Sequence, residues 1–195
     1  MSKHFFNKKA LDWDATTEHS SRIISRVISK LPNFEVPKIL DVGCGTGVLF
    51  DFLQKKYRNS LKITAIDYAE KMIEQARKKY DSYSNISYVA DDVYEHKFPN
   101  LFYDLIICYS VFPHLKNKKG IIKKFYKLLR SGGYLVIFHS ESREAINSLH
   151  KNIGGVVEHD HLPAAEVVAS IAKESGFIVD TILDSDIYLV KFRKP

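Results

Sequence analysis

The chain has 195 residues, 45% of them hydrophobic and 27% charged, with a net charge of +6 and an isoelectric point near 9.1. This length suits one domain with a sizeable core, and the composition excludes a disordered or fibrous chain. No apolar stretch approaches the ~18 residues of a membrane span. Segment 1–9 also lacks the apolar run of a secretory signal, so we predict a cytoplasmic protein.

The basic surplus is spread through helical segments such as 116–127 and forms no dense block. It permits nucleic-acid binding without predicting it, and RNA is therefore a second candidate partner. Cys44 and Cys108 cannot form a disulfide framework and lack a Cys-x-x-Cys spacing for zinc. Both fall at strand ends, and we interpret them as small buried hydrophobic residues.

The predicted elements alternate between amphipathic helices and short apolar strands. Residues 18–31 carry apolar side chains at helical spacing, and Pro32 and Pro37 then bracket a linker. Seven apolar runs follow as predicted strands: Lys38–Val42, Leu61–Ile66, Ile86–Val89, Tyr103–Tyr109, Tyr134–His139, Phe177–Leu183 and Ile187–Phe192. Helical patterns lie between them at 47–58, 69–80, 116–130, 143–152 and 164–175.

This alternation predicts an α/β fold with a seven-stranded, mostly parallel, doubly wound sheet. The last two predicted strands are separated only by Asp184-Ser185-Asp186. That connection is too short for a crossover, so these strands must form a hairpin and one edge of the sheet should be antiparallel.

The sharpest motif is Asp41-Val42-Gly43-Cys44-Gly45-Thr46-Gly47, where a buried strand runs into a glycine-rich turn and then a helix. Glycine in such a turn allows positive φ and lets a ligand approach the backbone closely. The spacing Gly-x-Gly-x-Gly departs from the dinucleotide fingerprint Gly-x-Gly-x-x-Gly, and no Gly-Lys-Ser/Thr follows for a phosphate loop. The alternative is a tight turn that needs glycine for steric reasons alone.

With this motif, residues 36–138 resemble the class I S-adenosylmethionine-dependent methyltransferases, in their small-molecule, type 11-like branch. The resemblance implies a Rossmann-like fold and S-adenosyl-L-methionine as cofactor, with S-adenosyl-L-homocysteine as product. It implies that Gly43, Gly45 and Gly47 cradle the methionyl part of the cofactor, while Asp41 is directed towards its amino group. Cys44 and Cys108 join the cofactor-binding set on the same grounds.

A second apolar strand runs into Asp67, 22 residues after Gly45. This is about the separation at which a second-strand carboxylate meets a ribose, whose two vicinal hydroxyls it can accept. The alternative is an N-cap for the helix that starts near Ala69. Tyr68 and Met72 are then expected to line the adenine pocket, and plain packing is the alternative for each.

The turn after the third strand, Val89-Ala90-Asp91-Asp92-Val93, resembles the acidic turn of the same family. The resemblance implies that Asp92 faces the adenine amino group, with Asp91 one register away, and that Val93 offers its backbone amide to the ring. The alternative is a solvated acidic loop.

Two flanking segments also resemble the family. The fourth strand continues into Ser110-Val111-Phe112-Pro113-His114, at the exit that faces the methyl group in these enzymes, and it lacks the Asn/Asp-Pro-Pro-Tyr/Phe pattern of enzymes that methylate exocyclic or amide nitrogens. At the N-terminus, Phe5, Phe6, Ala10 and Trp13 resemble the helical lid of small-molecule members. Simple packing is the alternative for Trp13.

Segment 139–163 is our candidate acceptor wall. His139 lies at a strand's carboxyl end, where ligands bind in open α/β sheets, and Arg143, Asn147 and His150 share one helix face. We take His114, His139 and His150 as candidate catalytic residues, either as a base or as acceptor contacts, because imidazole titrates near neutrality. Surface polar residues rank second. A metal site ranks third, drawn from His139, His150, His159, Asp160 and His161.

These patterns predict one methyltransferase domain over 1–195. It comprises a helical lid (1–35), a cofactor-binding core (36–138), an acceptor-side insertion (139–163) and a C-terminal helix and hairpin (164–195). The predicted function is methyl transfer to a small-molecule acceptor by a monomer or homodimer, without a metal. The alternatives are an RNA methyltransferase and a cofactor-binding module that transfers no methyl group.

Overall fold

The computed structural model describes residues 2–58 and 60–195. These residues group into two compact units, one up to His96 and one from Lys97. The division into lid, core and insertion that we predict from the sequence stays a prediction. None of the helices formed by the described residues is long and apolar enough to cross a membrane.

The unit up to His96 carries parallel strands and the helices around them. Its elements in chain order are α1 (Ser2–Lys9), α2 (Trp13–Thr16), α3 (Ser21–Ser29), β1 (Lys38–Val42), α4 (Phe50–Tyr57), β2 (Lys62–Asp67), α5 (Glu70–Lys79) and β3 (Ile86–Ala90). The strand β2 pairs in parallel with both β1 and β3, so all three end at the same edge of the sheet. The loops that follow β1, β2 and β3 therefore meet at that edge.

The unit from Lys97 begins with a fully buried strand and ends with the predicted hairpin. Its elements are β4 (Tyr103–Tyr109), a 3-10 turn (Phe112–His114), α6 (Lys118–Leu128), β5 (Leu129–His139), α7 (Arg143–Ile153), a second 3-10 turn (Gly155–Val157), α8 (Ala165–Glu174), β6 (Ile178–Asp184) and β7 (Tyr188–Arg193). β4 and β5 are parallel, whereas β7 is antiparallel to both β5 and β6.

The seven strands belong to one mixed sheet, whose order is β3-β2-β1-β4-β5-β7-β6. This confirms the predicted α/β class, with a mostly parallel sheet and an antiparallel C-terminal hairpin. Two predicted helix bounds are wrong. The helix predicted at 47–58 begins only at Phe50, because residues 47–49 still form the glycine turn. The helix predicted at 18–31 is shorter, at Ser21–Ser29.

The boundary between α6 and β5 also differs from the prediction. The helix predicted at 116–130 ends at Leu128, and Leu129 already has extended backbone and pairs with Tyr103. Arg130 is then drawn into an ion pair with the buried Asp104. Since pairing with a buried strand outweighs local helix propensity, β5 starts five residues before the predicted Tyr134.

Candidate active site

The loop after β1 is shaped by its three glycines, which all have positive φ (65°, 54° and 89° at Gly43, Gly45 and Gly47). A Cβ added at Gly47 would lie 2.6 Å from the ring of Phe50 and 2.9 Å from that of Tyr80. The steric alternative therefore holds for Gly47. At Gly45 the nearest atom to such a Cβ is Nε1 of Trp13, at 4.0 Å, so steric crowding does not explain the glycine there.

Asp67, the last residue of β2, braces this loop. Its Oδ2 accepts a hydrogen bond from the backbone N–H of Gly45 at 3.0 Å, and its Oδ1 accepts one from the N–H of Ala69 at 2.9 Å. The N-cap residue of α5 is Ala69, without a side-chain cap hydrogen bond, so Asp67 is not the N-cap of that helix and its bond to Ala69 orders the turn before it. The two carboxylate oxygens together carry about four acceptor sites, which is the chemistry that two vicinal ribose hydroxyls require.

Asp41 lies in β1 just before the loop and is only 2% exposed. Its Oδ2 has no hydrogen-bond partner among the described residues. Burial, together with the charge of Asp67, raises the pKa of Asp41 to about 7. A buried carboxylate oxygen without a partner is costly unless a ligand satisfies it. This orphan oxygen therefore fits the cationic amino group of S-adenosylmethionine.

The two carboxylates in the turn after β3 make different contacts. Asp91 accepts the N–H of Asp92 and forms an ion pair with His96 at 2.9 Å, and this pairing lowers the pKa of Asp91. Asp92 accepts the N–H of Tyr94 through Oδ1 and is exposed. The next residue, Val93, is buried. The side chain of Asp92 thus makes fewer contacts within the turn than the side chain of Asp91.

The N-terminal helices pack on the start of α5. The ring of Phe6 lies 5.7 Å from that of Trp13 and 6.1 Å from that of Tyr68, measured between centroids. These rings cover a small buried cluster of Ala10, Ala69 and Met72. The packing interpretation of Trp13 is therefore correct, and Trp13 also lies against the glycine loop.

Asp14 ties these helices to the loop, a role that the sequence did not reveal. Its Oδ1 accepts a hydrogen bond from the hydroxyl of Thr46 at 2.5 Å, and its Oδ2 pairs with Lys79 at 2.7 Å. Nothing local marks this contact, because Asp14 and Thr46 are 32 residues apart. The threonine between the two loop glycines is the one signal that could have suggested a partner.

The unit from Lys97 brings His114, His139 and His150 together, and we call these residues with Asp160 the histidine cluster. Because β4 and β5 are parallel, the turn after β4 and the end of β5 meet at one edge. Nδ1 of His114 lies 2.7 Å from Oδ2 of Asp160, and its ring is 4.9 Å from that of His150. Burial and the nearby His114 and His150 lower the pKa of His139 to about 3.

Two residues of the predicted polar stripe serve the fold instead. Arg143 pairs with Asp184 at 2.9 Å, and this hydrogen-bonded pair raises the pKa of Arg143. The side-chain amide of Asn147 donates to the backbone carbonyl of Leu162 and accepts the N–H of Leu162. Of the three stripe residues, His150 joins the cluster.

The remaining metal-ligand candidates lie outside this cluster. His159 and His161 are exposed and line an open cavity of about 370 Å³. In the part of the chain that the structure describes, no three His, Cys, Asp or Glu side chains group closely enough to hold a metal ion.

Both cysteines are buried, as the interpretation of small buried residues expects. The thiol of Cys44 donates weakly to the carbonyl of Gly45, and burial raises the pKa of that thiol. Cys108 is fully buried within β4. Beside it, the hydroxyl of Tyr109 donates to Ser140 at 3.2 Å.

A mixed seven-stranded sheet, a glycine loop after its first strand and an acid at the end of its second together define the class I S-adenosylmethionine-dependent methyltransferases. Residues 39–133 match the family model described as a methyltransferase domain. This part of the chain belongs to that family. The resemblance stated from the sequence is thereby confirmed.

Individual relatives agree with the family but differ in what they methylate. The chain is 34% identical over 154 residues to a malonyl-[acyl-carrier protein] O-methyltransferase of Priestia megaterium, covering 77% of this chain and 54% of that protein. It is 32% identical over 105 residues to an (S)-coclaurine N-methyltransferase of Thalictrum flavum, covering 52% and 28%. The chain spans about half the length of the first curated relatives it matches.

A solved structure supports the fold over the whole chain. The N-methyltransferase NodS of Bradyrhizobium japonicum, in complex with S-adenosyl-L-homocysteine, superposes with a TM-score of 0.75 at 21% identity. The match covers 100% of this chain and 98% of that one.

Proposed function

We propose that this protein transfers the methyl group of S-adenosylmethionine to a small-molecule acceptor. The observation that carries the proposal is the edge of the sheet after β1 and β2. There, Asp67 holds a glycine loop in which a Cβ at Gly45 would meet no atom closer than 4.0 Å, and Asp41 has a buried carboxylate oxygen with no partner among the described residues. A glycine turn, a free acceptor for an ammonium and a carboxylate for a ribose suit an amino acid joined to a nucleoside.

The proposed cofactor contacts follow the chain from β1 to β3. The backbone of the glycine loop, with Cys44, holds the methionyl part, and Asp41 accepts its amino group. Asp67 accepts the ribose hydroxyls, as an ionised carboxylate can. Four residues are proposed to lie beside the adenine: Tyr68, Met72, Asp92 and Val93. Cys108 completes the proposed set of cofactor contacts.

The bound cofactor supplies an electrophilic methyl group on a sulfonium. The protein then has to align the acceptor with that methyl group and exclude water. We propose that His114, His139 and His150 contact the acceptor, since they form one partly buried polar cluster. The relatives named for methylation of malonyl carriers and coclaurine support a small acceptor, and we expect the protein to act in the cytoplasm as a monomer or homodimer.

Titration calorimetry tests the cofactor part of the proposal. S-adenosylmethionine and S-adenosylhomocysteine should bind, and NAD should give no heat. The variant Asp41→Asn should bind both adenosyl ligands at least tenfold more weakly, because an amide cannot replace a charge-assisted bond to an ammonium. The exposed Asp186→Asn is the matched control. Heat with NAD and none with either adenosyl ligand would contradict the proposal.

A further inference from the structure

The connection between α7 and α8 contains a short segment, residues 155–161, that we call the strap. It follows Gly154, which ends α7 and donates its N–H to the carbonyl of His150. After the strap, Leu162 is fully buried, and its backbone exchanges two hydrogen bonds with the side-chain amide of Asn147. The strap is therefore a seven-residue span between two fixed points.

Few side chains hold the strap against the rest of its unit. Five of its seven residues are exposed, and the two that turn inward are Val157 and Asp160. Val157 is 2% exposed, and the side chain of Asp160 is 11% exposed. An open cavity of about 370 Å³ lies between side chains of α7 and of the strap. A segment with so few buried contacts opens at a lower free energy than the strands beside it.

The start of the strap has a backbone conformation that side chains oppose. Gly154 has φ 67° and ψ −167°, a combination found almost only in glycine and distinct from the left-handed helical conformation that often ends a helix. Gly155 also has positive φ, at 63°. A Cβ added at either residue would meet no atom within 4 Å, so packing does not require glycine there. The two glycines instead give the backbone the freedom that a hinge needs.

Asp160 connects the strap to the histidine cluster. Its Oδ2 lies 2.7 Å from Nδ1 of His114, and its backbone oxygen accepts a hydrogen bond from Nδ1 of His150 at 2.6 Å. Burial opposes ionisation of Asp160, but its hydrogen bond with His114 and the nearby positive charge lower its pKa overall. One residue of the strap thus contacts two of the three rings of the cluster through charge and backbone together.

Beside these contacts lie two buried side chains whose polar atoms lack partners. Within the residues that the structure describes, neither ring nitrogen of His139 nor the hydroxyl of Tyr188 makes a hydrogen bond, and both residues are at most 1% exposed. Their rings lie edge to face, 6.0 Å apart. Burial, with the nearby His114 and His150, lowers the pKa of His139 to about 3, so His139 lies close to the two rings that Asp160 contacts. Buried polar atoms are nearly always paired in native proteins, and these atoms therefore indicate a polar partner that enters from outside.

We propose that the strap is a hinged gate to the buried pair of His139 and Tyr188, turning at Gly154 and held closed by Asp160. The structure shows the closed form, in which the pair is shut off from solvent. Opening separates Asp160 from the two rings that it contacts and withdraws Val157, while the strands of the sheet stay paired. The inference rests on the proposed function in one respect, namely that the molecule admitted is the methyl acceptor.

The chemical accessibility of His139 tests the gate without any acceptor. Diethyl pyrocarbonate acylates neutral imidazoles, and His139 is neutral at pH 7 because burial lowers its pKa. Mass spectrometry follows the modification of each histidine, with the exposed His159 as internal reference. In the wild-type protein His139 should react far more slowly than His159, at a rate set by opening of the strap.

Two variants should open the gate by different means. Gly154→Ala removes no contact, and it should speed modification of His139 about tenfold because the added side chain strains the closed backbone and not the open one. Asp160→Ala should have the same effect by removing the ion pair with His114.

Gly132→Ala is the matched control. Gly132 lies in β5 of the same unit, has positive φ (76°), and an added Cβ there would also meet nothing within 4 Å. It should leave the reactivity of His139 unchanged. Unchanged reactivity in either strap variant, or an equal rise in Gly132→Ala, would overturn the gate.

Hydrogen exchange of the wild-type protein covers the case of a poorly folded variant. The N–H of Asp160 donates to the carbonyl of Val157 within the strap, whereas Ile137 lies fully buried in β5. The amide of Asp160 should exchange through a local opening that low denaturant does not speed, and the amide of Ile137 should require global unfolding. Exchange of both amides in one unfolding step would overturn the gate.

Calorimetry separates this inference from the proposed function. Gly154→Ala should bind S-adenosylhomocysteine with the affinity of the wild-type protein. Cofactor binding without any change in the reactivity of His139 would refute the gate and preserve the proposed function. A gate that opens in a protein without affinity for either adenosyl ligand would contradict the proposed function alone.

Discussion

The glycine loop and the histidine cluster are built in opposite ways. The loop is one continuous segment, and its form depends on backbone conformation and on one carboxylate from the next strand. The cluster joins side chains from four separate segments, and its form depends on ring packing and on the hydrogen bonds of His114 and His150 to Asp160. The first arrangement reveals its ligand through a motif. The second becomes visible only once the fold brings the segments together.

If this contrast is right, changes at the loop alter cofactor affinity, and changes at the cluster alter turnover at constant affinity. The largest expected effect at the loop comes from Asp67→Ala. It should weaken cofactor binding by about 1.5–3 kcal/mol, or at least tenfold, since the lost bonds involve a charged group. Calorimetry measures the effect, with the exposed Asp81→Ala as control. Unchanged affinity with a lower melting temperature would mean that Asp67 only braces the glycine loop and the turn before α5.

The next prediction concerns Asp41, whose replacement should change stability and cofactor binding in opposite directions. Its pKa of about 7 in the folded chain, against about 3.9 in an unfolded one, means that this group's contribution to stability falls as pH rises from about 4 to 7. At pH 8, Asp41→Asn should therefore raise the melting temperature of the ligand-free protein by a few degrees while weakening cofactor binding. An unchanged or lower melting temperature would contradict the buried charge.

The same pKa predicts how affinity depends on pH. Because the ammonium of the cofactor prefers the ionised carboxylate, the association constant of S-adenosylhomocysteine should fall as pH drops below about 7. The decline should approach tenfold per pH unit and should vanish in Asp41→Asn. Calorimetry between pH 5.5 and 8 is the measurement, and a flat wild-type profile is the contrary result.

At the histidine cluster, the lowered pKa of His139 predicts that acid destabilises the fold. Its pKa of about 3 when buried lies below the ~6.5 of an unfolded histidine, so the unfolded chain binds the proton first as pH falls. Stability should decrease between pH 6.5 and 3, and His139→Phe should make that decrease shallower. Urea unfolding at several pH values measures this. If stability depends on pH identically in both proteins, His139 is not the cause of the acid sensitivity.

The smallest expected effect concerns the contact between Asp14 and Lys79. Both side chains are nearly half exposed, and such pairs contribute about 0–1 kcal/mol. Lys79→Met should therefore speed release of S-adenosylhomocysteine by about fivefold at most, and the neighbouring Lys78→Met should not change it. Trp13 is the single tryptophan of the chain and lies beside the loop, so its fluorescence reports release. A slower release in Lys79→Met would contradict a holding role for the contact between Asp14 and Lys79.

The same contrast explains what the sequence can predict. The seven strands and the motif at 41–47 could be predicted because each is encoded by a local pattern of residues. The pairing of Gly45 with Asp67 could be predicted because each follows one of these strands, 22 residues apart. The helix predicted to end at 130 failed because pairing with Tyr103 draws Leu129 into the sheet. Asp14 with Thr46 and Asp160 with His114 are 32 and 46 residues apart, and no periodicity encodes such contacts.

The central claim is that the edge of the sheet after β1 and β2 binds S-adenosylmethionine. A crystal structure with S-adenosylhomocysteine tests it most directly. We expect the amino group within hydrogen-bond distance of Oδ2 of Asp41 and the ribose hydroxyls on Asp67, with the methionyl backbone along Gly43–Gly47. A ligand bound away from this loop, with Oδ2 of Asp41 still unpaired, would contradict the claim.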